Sequence, residues 1–249
     1  MPPKVEFKIG QIKEYIEEII YFLKTNQKVI LFEKYPELKE LTKKENYNKE
    51  KIIKFFKQKE KEFNIAIKQS QEDFQKSWNE INDKVMIALE NVNETKWPKE
   101  LKIISAKITL NPICPRYLED YSFDIHFAFP NILMKRITLH EISHFIFFKK
   151  FKEIYPKINP KRFEYPNIVW NLSEIVPLMI LGDKRIQEII EHEPSIYNVY
   201  KKLKINEKNI LEILQNFYNK RKNFTDFIKT SYNFMKKHEK EIKTKFEMI

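Results

Sequence analysis

Residues 131–151 of the chain are NILMKRITLHEISHFIFFKKF, and HEISH at positions 140–144 has the form HExxH. Apolar residues lie on both sides of the motif, which predicts that it belongs to a buried helix. Residues i and i+4 of a helix project from one face, so His140 and His144 can both direct an imidazole nitrogen to one metal ion. The motif therefore predicts a zinc site.

Glu141 lies about 100° around the helix axis from His140. At this position its carboxylate can reach a zinc-bound water without being a ligand itself. Zinc lowers the pKa of such a water towards about 7, and Glu141 would accept its proton and later deliver it to a leaving amine. The alternative is a pair of hydrogen-bonded core histidines beside an ion-paired glutamate. We favour the metal site because five histidines in 249 residues give a random expectation of roughly 0.01 such motifs.

A catalytic zinc site normally has three protein ligands and one open position. We expect Glu174 to be the third ligand, because it lies 30 residues after His144 in the otherwise apolar segment 168–176. A carboxylate buried in such a segment needs a cation. The other candidates for the third ligand are His192, His238, Glu153, Glu164 and Glu188.

Composition excludes several classes of protein. Only two glycines are present, which excludes glycine-rich phosphate-binding loops and argues against an all-β fold. The single cysteine, Cys114, excludes an intrachain disulfide, and the N-terminus lacks the apolar core of a signal peptide. No run of 18 apolar residues occurs, so we expect a cytoplasmic protein without a transmembrane helix.

The hydrophobic pattern predicts an α+β fold that is predominantly α, in three consecutive regions. Residues 1–97 are expected to be a helical N-terminal region, 98–198 the core that carries the motif, and 199–249 a basic helical region that packs on it. Within the core, residues 101–110 and 122–129 have the β-branched and alternating patterns of strands. The predicted helices lie at 10–25, 48–93 (two helices or one bent one), 131–151, 167–182, 184–192, 195–204, 206–222 and 224–245.

HEISH followed by Asn171-Leu172-Ser173-Glu174 resembles the gluzincin branch of the zincin metallopeptidases. The resemblance covers roughly residues 100–182 and implies a zincin-like core. It implies zinc as the cofactor, with His140 and His144 as ligands beside the later glutamate. It also implies a small sheet before the HExxH helix, whose edge strand could accept a peptide as an added strand.

Residues 122–129 have the placement of that edge strand. His126, on the face opposite the phenylalanines, would point either to solvent or into the cleft, and we expect it to point to solvent. The chain departs from two related patterns. Phe147 and Lys150 stand at the Gly and third His of the longer metzincin motif, which excludes that branch. The family often has an acidic residue four positions after its glutamate ligand, and this chain has Leu178 there.

A zinc peptidase also has a donor that stabilises the oxyanion of the tetrahedral intermediate, often Tyr or His. We expect His192 and Tyr197 to be the catalytic candidates, because the lower subdomain should close that side of the cleft. Tyr155 and Tyr165 are the alternatives downstream of the zinc helix.

These observations predict a zinc-dependent metallopeptidase that acts on a peptide or protein substrate. A latent or inactive zincin-fold protein with a regulatory or scaffold role is the alternative, because the long helical flanks could bury the cleft. The net charge is +11, of which +7 falls in residues 199–249, so a helical nucleic-acid binder is a third hypothesis. We rank it last because it leaves HEISH unexplained.

Overall fold

The computed structural model describes residues 1–43, 48–190 and 198–248. The fold is mostly helical with a small mixed sheet, which confirms the predicted α+β, predominantly α class. No helix in the described ranges has the length and apolar character needed to cross a membrane.

The chain forms two compact units. The sheet unit comprises residues 3–82 and 102–138, and the helical unit comprises residues 1–2, 83–101 and 139–249. Each unit is assembled from separate stretches of sequence, so the units differ from the three consecutive regions expected from the pattern.

The sheet unit contains a four-stranded sheet. Its strands are β1 (Lys4–Ile9), β2 (Ile103–Thr109), β3 (Arg116–Tyr117) and β4 (Ser122–His126). Their order is β1-β2-β4-β3, with β1, β2 and β4 parallel and β3 antiparallel to β4. The helices of this unit are α1 (Ile12–Phe22), α2 (Lys28–Lys34), α3 (Leu38–Leu41) and α4 (Lys49–Asn79).

β2 and β4 confirm the two strands predicted at 101–110 and 122–129. The expectation that 122–129 is an edge strand is wrong, because β4 pairs with β2 on one side and with β3 on the other. All five residues of β4 are buried, as an internal strand requires.

His126 is fully buried, so the expectation that it points to solvent is also wrong. Its Nδ1 accepts a hydrogen bond from the Ala128 N–H at 3.1 Å, and its Nε2 lies 3.1 Å from the Tyr35 hydroxyl. That hydroxyl donates to the Leu110 carbonyl at 2.8 Å. Burial lowers the pKa of His126 to about 3, with a smaller contribution from Lys34, so the ring is neutral at physiological pH.

β1 lies in the region that was expected to be helical, and no strand was predicted there. The alternation of Val5 and Phe7 with charged residues is the signal that could have found it. Both side chains are buried, and β1 pairs with β2 over its whole length.

The outer edge of β1 is covered by side-chain amides of α4 and the residues after it. The Gln75 amide accepts from the Phe7 N–H at 2.9 Å and donates to the Val5 carbonyl at 3.1 Å. Gln71 donates to the Phe7 carbonyl at 3.0 Å, and Asn82 accepts from the Val5 N–H at 3.1 Å. Gln75 therefore makes the two bonds that one residue of a parallel neighbouring strand would make.

α5 (Asn82–Asn93) follows α4, so the predicted helical region 48–93 consists of two helices. α6 (Asn131–Ile154) carries HEISH and confirms the helix predicted at 131–151. A 3-10 turn at Pro160–Phe163 leads to α7 (Ile168–Leu181), which confirms the helix predicted at 167–182.

α7 is central to the helical unit. It is apolar on nearly all sides, and α10 (Ile210–Lys220), α11 (Phe224–Lys237) and the 3-10 turn pack on it. The other elements are α8 (Lys184–Gln187), α9 (Asn198–Lys202), β5 (Lys204–Ile205), β6 (Lys208–Asn209) and α12 (Glu239–Met248).

The hairpin of β5 and β6 interrupts a stretch that was predicted to be helical at 195–204 and 206–222. Asn206 and Glu207 at its turn have φ of 48° and 63°. Two successive residues with positive φ are typical of the tight turns that join antiparallel strands, and Asn tolerates this conformation well. The helical prediction is wrong here because the turn at Asn206 and Glu207 outweighs the helical pattern on either side.

Asp124 is an ionisable group buried inside the sheet unit, with 1% of its surface exposed. Burial raises the pKa of its carboxyl to about 8, although the nearby Lys107 acts in the opposite direction. The carboxyl is therefore largely protonated at pH 7 in the folded protein.

We predict that replacing Gln75 by Leu destabilises the sheet unit and exposes its edge. The Phe7 N–H and the Val5 carbonyl would lose their partners, which should lower the free energy of unfolding by about 1–3 kcal/mol in urea titrations. An uncovered strand edge also favours pairing between copies, so sedimentation should show concentration-dependent self-association. The matched control is Gln69→Leu, which alters an exposed glutamine of α4 whose amide donates to Asp73 at 3.2 Å. A Gln75→Leu protein that is monomeric and as stable as this control would contradict the role given to the amide.

We also predict that the stability of the fold decreases between pH 6.5 and pH 8 because of Asp124. In this window the folded carboxyl, with its pKa near 8, holds a proton that the unfolded chain, with the ordinary value of 3.8, has released. The free energy of unfolding should therefore fall by up to about 1.4 kcal/mol per pH unit. Between pH 3.8 and 6.5 the depressed pKa of His126 contributes a slope of the opposite sign, which offsets that of Asp124, because the unfolded imidazole there binds a proton that the folded ring does not.

Denaturant titrations of Asp124→Asn should show a shallower slope than wild type between pH 6.5 and 8. Glu119→Gln, which alters an exposed carboxyl of the same unit, should keep the wild-type slope. Equal slopes in wild type and Asp124→Asn would show that Asp124 is ionised in the folded protein.

Candidate metal centre

The two histidines of HEISH converge at one point on α6. Their Nε2 atoms are 3.0 Å apart, and the rings meet edge to face with centroids 4.6 Å apart. This is the arrangement expected for residues one helical turn apart whose side chains lean to the same face. Between them, the Ser143 hydroxyl donates to the His140 carbonyl at 2.6 Å, so that it bonds within its own helix.

Glu174 reaches the same point from α7. Its Oε2 lies 3.9 Å from the Nε2 of His140 and 3.9 Å from the Nε2 of His144. The side chain is only 2% exposed, and its neighbours along α7 are almost all apolar. The residue predicted as third ligand thus lies beside both histidines.

Glu141 also lies beside the two histidines, and all three residues belong to α6. One oxygen of its carboxylate and one nitrogen of each imidazole lie within 4.8 Å of one another. Glu141 is 8% exposed, so its carboxylate is close to the histidines and nearly removed from bulk water.

The cluster is buried unevenly. His144 has no exposed surface, whereas the side chain of His140 is 23% exposed. His140 is therefore the most exposed member of the cluster.

The Nε2 atoms of His140 and His144 and the Oε2 atom of Glu174 fit a zinc ion. Zinc binds imidazole nitrogen at 2.0–2.1 Å and carboxylate oxygen at 2.0–2.2 Å, so tetrahedral ligand atoms stand roughly 3.3 Å apart. The observed separations, 3.0 Å between the nitrogens and 3.9 Å from each to the oxygen, lie on either side of this value. Two imidazoles and one glutamate are also a donor set that catalytic zinc sites use.

Three of the other candidates for the third ligand have partners elsewhere. Glu153 accepts from the Thr95 hydroxyl at 2.8 Å and forms an ion pair with Lys149, and these contacts lower its pKa. Glu188 pairs with Lys184 at 3.6 Å, and His238 lies 3.3 Å from Glu241. Glu164 is exposed at the end of the 3-10 turn.

The structure describes two of the four residues considered as oxyanion donors, Tyr155 and Tyr165. His192 and Tyr197 lie outside the described residues, so their role remains a prediction. Tyr155 packs against Phe151 and Tyr232, and burial raises its pKa. Tyr165 is 60% exposed, which leaves its ring available to solvent.

Aromatic side chains beside the centre were not singled out from the sequence. Phe148 stacks with the His144 ring at a centroid distance of 6.4 Å, and Phe163 packs on Phe148 at 4.7 Å. The signal that could have found the first contact is the four-residue spacing from His144 to Phe148. Nothing in the local sequence identifies Phe163, because that contact is made between two separate segments.

Comparison with known proteins gives no relative from which a function could be transferred: no family model, no curated protein and no solved structure matches the chain.

Proposed function

We propose that the chain is a zinc-dependent metallopeptidase of the gluzincin type, with His140, His144 and Glu174 as the zinc ligands. The observation that carries the proposal is the convergence of Glu174 on HEISH. Its Oε2 is 3.9 Å from both imidazole nitrogens, although 30 residues separate it from His144. Chance would seldom bring the one carboxylate of an apolar helix to this point.

The proposal includes a zincin-like core. In its favour, a strand of a small sheet, β4, precedes the HExxH helix in the chain, and a helix with the third donor follows it. HEISH and the third donor both belong to the helical unit, so the donor set is complete within one compact body.

A bound zinc ion would polarise a substrate carbonyl and lower the pKa of a nearby water molecule. Glu141 is the group of this chain that could then act as general base, because an oxygen of its carboxylate is within 4.8 Å of a ring nitrogen of His140 and of His144. It would take a proton from the attacking water and deliver it to the leaving amine. The donor set of two histidines and one glutamate supports catalysis, since three protein ligands would leave the fourth zinc position open, whereas structural zinc sites have four protein ligands.

We predict that the wild-type chain binds one zinc ion and that loss of a ligand weakens binding strongly. Changes to groups that only support a ligand cost about 10–100-fold in affinity, so Glu174→Ala and His144→Ala should each cost more than about 100-fold. Zinc titration with a fluorescent competitor measures the affinity. Thermal unfolding checks it independently, because zinc should raise the melting temperature of wild type and leave that of the variants unchanged.

Glu164→Ala is the matched control, because it removes an exposed glutamate from the same unit and should bind zinc as wild type does. The proposal is wrong if the wild-type chain, prepared without chelator, holds no zinc and gains no stability from added zinc.

We predict that Glu141→Gln keeps zinc and loses peptide hydrolysis. The amide is isosteric with the carboxylate but cannot accept the proton, so the rate should fall by about 10²–10⁴-fold. Mass spectrometry of a peptide mixture incubated with zinc-loaded protein measures cleavage, and zinc analysis of the same sample verifies that the metal is retained.

Glu164→Gln should cleave at the wild-type rate in the same assay. If Glu141→Gln cleaves as fast as wild type, Glu141 is not the base. If the zinc-loaded wild type cleaves no peptide in the mixture, the peptidase assignment fails while the metal centre stands.

A further inference from the structure

One face of α11 and α12 carries exposed lysines that have no acidic partner. Every exposed residue between positions 229 and 240 is a lysine, a threonine or an asparagine, namely Lys229, Thr230, Asn233, Lys236, Lys237 and Lys240. We call the four lysines of this set the lysine face. Within residues 1–43, 48–190 and 198–248, none of the four forms an ion pair.

The acidic residues next to the lysine face are engaged with other groups. Glu239, the one acidic residue between 229 and 240, pairs with Lys243 at 2.8 Å. Glu241 pairs with Lys245 at 2.7 Å. Asp226 accepts a backbone N–H at the start of α11, at 3.1 Å. The positive charge of the lysine face is therefore not neutralised by its neighbours along these two helices.

The lysine face continues across the junction of the two helices. The His238 N–H donates to the Phe234 carbonyl at 3.2 Å, and the Ile242 N–H donates to the His238 carbonyl at 2.9 Å. Helical hydrogen bonds thus pass from α11 into α12. At about 100° and 1.5 Å per residue, the four lysines then lie within about 100° of one another around the axis and extend over about 16 Å.

The opposite face of α11 is occupied by the core of the helical unit. Phe224, Phe227, Ile228 and Met235 are fully buried, and α11 packs on α7 and α10. A helix that lies in a membrane surface needs a free apolar face, and a protein interface has an apolar centre. Residues 229–240 are all described, and none of their apolar side chains is exposed. This surface therefore favours a partner that presents negative charge.

We propose that the lysine face binds the phosphate backbone of double-stranded DNA without reading the base sequence. Duplex DNA carries one negative charge per about 1.7 Å of its axis, so about 16 Å of duplex offers roughly ten phosphates to the four lysines. Lysine binds phosphate as a point charge, and Thr230 and Asn233 are residue types that add hydrogen bonds to phosphate oxygens. This binding is a function beyond the proposed peptidase activity and does not require the metal centre.

Other nucleic acids match the lysine face less well. Proteins that bind single strands stack the bases on aromatic side chains, and the exposed residues of 229–240 include no aromatic ring. Domains that recognise double-stranded RNA by its shape span about 16 base pairs. At about 3.4 Å per base pair, the lysine face covers only about five.

Fluorescence anisotropy of a labelled 20-base-pair DNA duplex, titrated with the full chain, tests the inference. Each neutralised phosphate contributes about −0.9 to the slope of log K against log salt concentration, so the four lysines should contribute about −3.6. They should thus account for a loss of about 100-fold in affinity between 50 and 200 mM salt. The variant with all four lysines changed to glutamine should have a slope that is shallower by about 3 to 4. A duplex of unrelated sequence should bind the wild type equally well.

A control variant separates the lysine face from net charge. It carries the Lys→Gln change at four exposed lysines that are scattered over the same unit, Lys157, Lys161, Lys184 and Lys208. The control loses the same amount of positive charge and should keep the wild-type slope. Glutamine and lysine have similar helix propensities, so circular dichroism should be unchanged in both variants.

Several results would overturn the inference. A wild-type chain that does not bind the duplex at 50 mM salt has no such function, and equal slopes in the two variants would mean that net charge alone is responsible. Tighter binding to duplex RNA, or lysine-dependent binding only to vesicles of phosphatidylserine and phosphatidylcholine, would assign the lysine face to a different partner. These measurements need no bound zinc, so their outcome leaves the proposed metal centre and peptidase activity to their own tests.

Discussion

The buried carboxylate of Glu174, held beside two imidazole nitrogens, is the constraint on which the helical unit depends. Nitrogen atoms 3.0 Å apart cannot both carry a proton between them, so at least one presents a lone pair to the other. A carboxylate 3.9 Å from both adds negative charge in a place where little of its surface meets water. A cation at the centre would satisfy all three groups at once, whereas a single shared proton would satisfy only two.

This constraint explains why the supporting helices are so apolar and so firmly packed. Displacement of α7 by one ångström would change the distances from Glu174 to the two imidazole nitrogens, so its position must be fixed by side chains outside this cluster. α10 and α11 pack on it, and Asn171 accepts a hydrogen bond from the buried Tyr200 at 3.1 Å. Pro177 has no N–H, so the helical bond to the Ser173 carbonyl, next to Glu174, is not made there. The apolar surface around the centre therefore supplies rigidity, and it also keeps water from screening the charged groups.

The sequence predicted the elements that have strong local signals and missed those defined by distant contacts. HEISH on α6 and the isolated carboxylate on α7 are visible because their spacing and polarity stand out from the neighbouring residues. β1 was overlooked because only two buried residues mark it, and its place in the sheet depends on pairing with β2 almost 100 residues later. The hairpin at 204–209 was predicted as helix because the hydrophobic pattern does not reveal its turn. That turn depends on two residues with positive φ. The position of β4 inside the sheet, and with it the burial of His126, could not be read from alternation, since internal and edge strands share that pattern.

The sheet also bears on how a peptide could be recognised. Strand addition needs an edge with free N–H and carbonyl groups, and β4 has a neighbour on each side. The outward groups of Val5 and Phe7 on β1 are matched by amides of Gln71, Gln75 and Asn82. Of the strands described in this sheet, β3 forms the opposite edge, but it is only two residues long and can offer few ladder bonds. Main-chain pairing of the kind implied by the gluzincin resemblance thus has little support here.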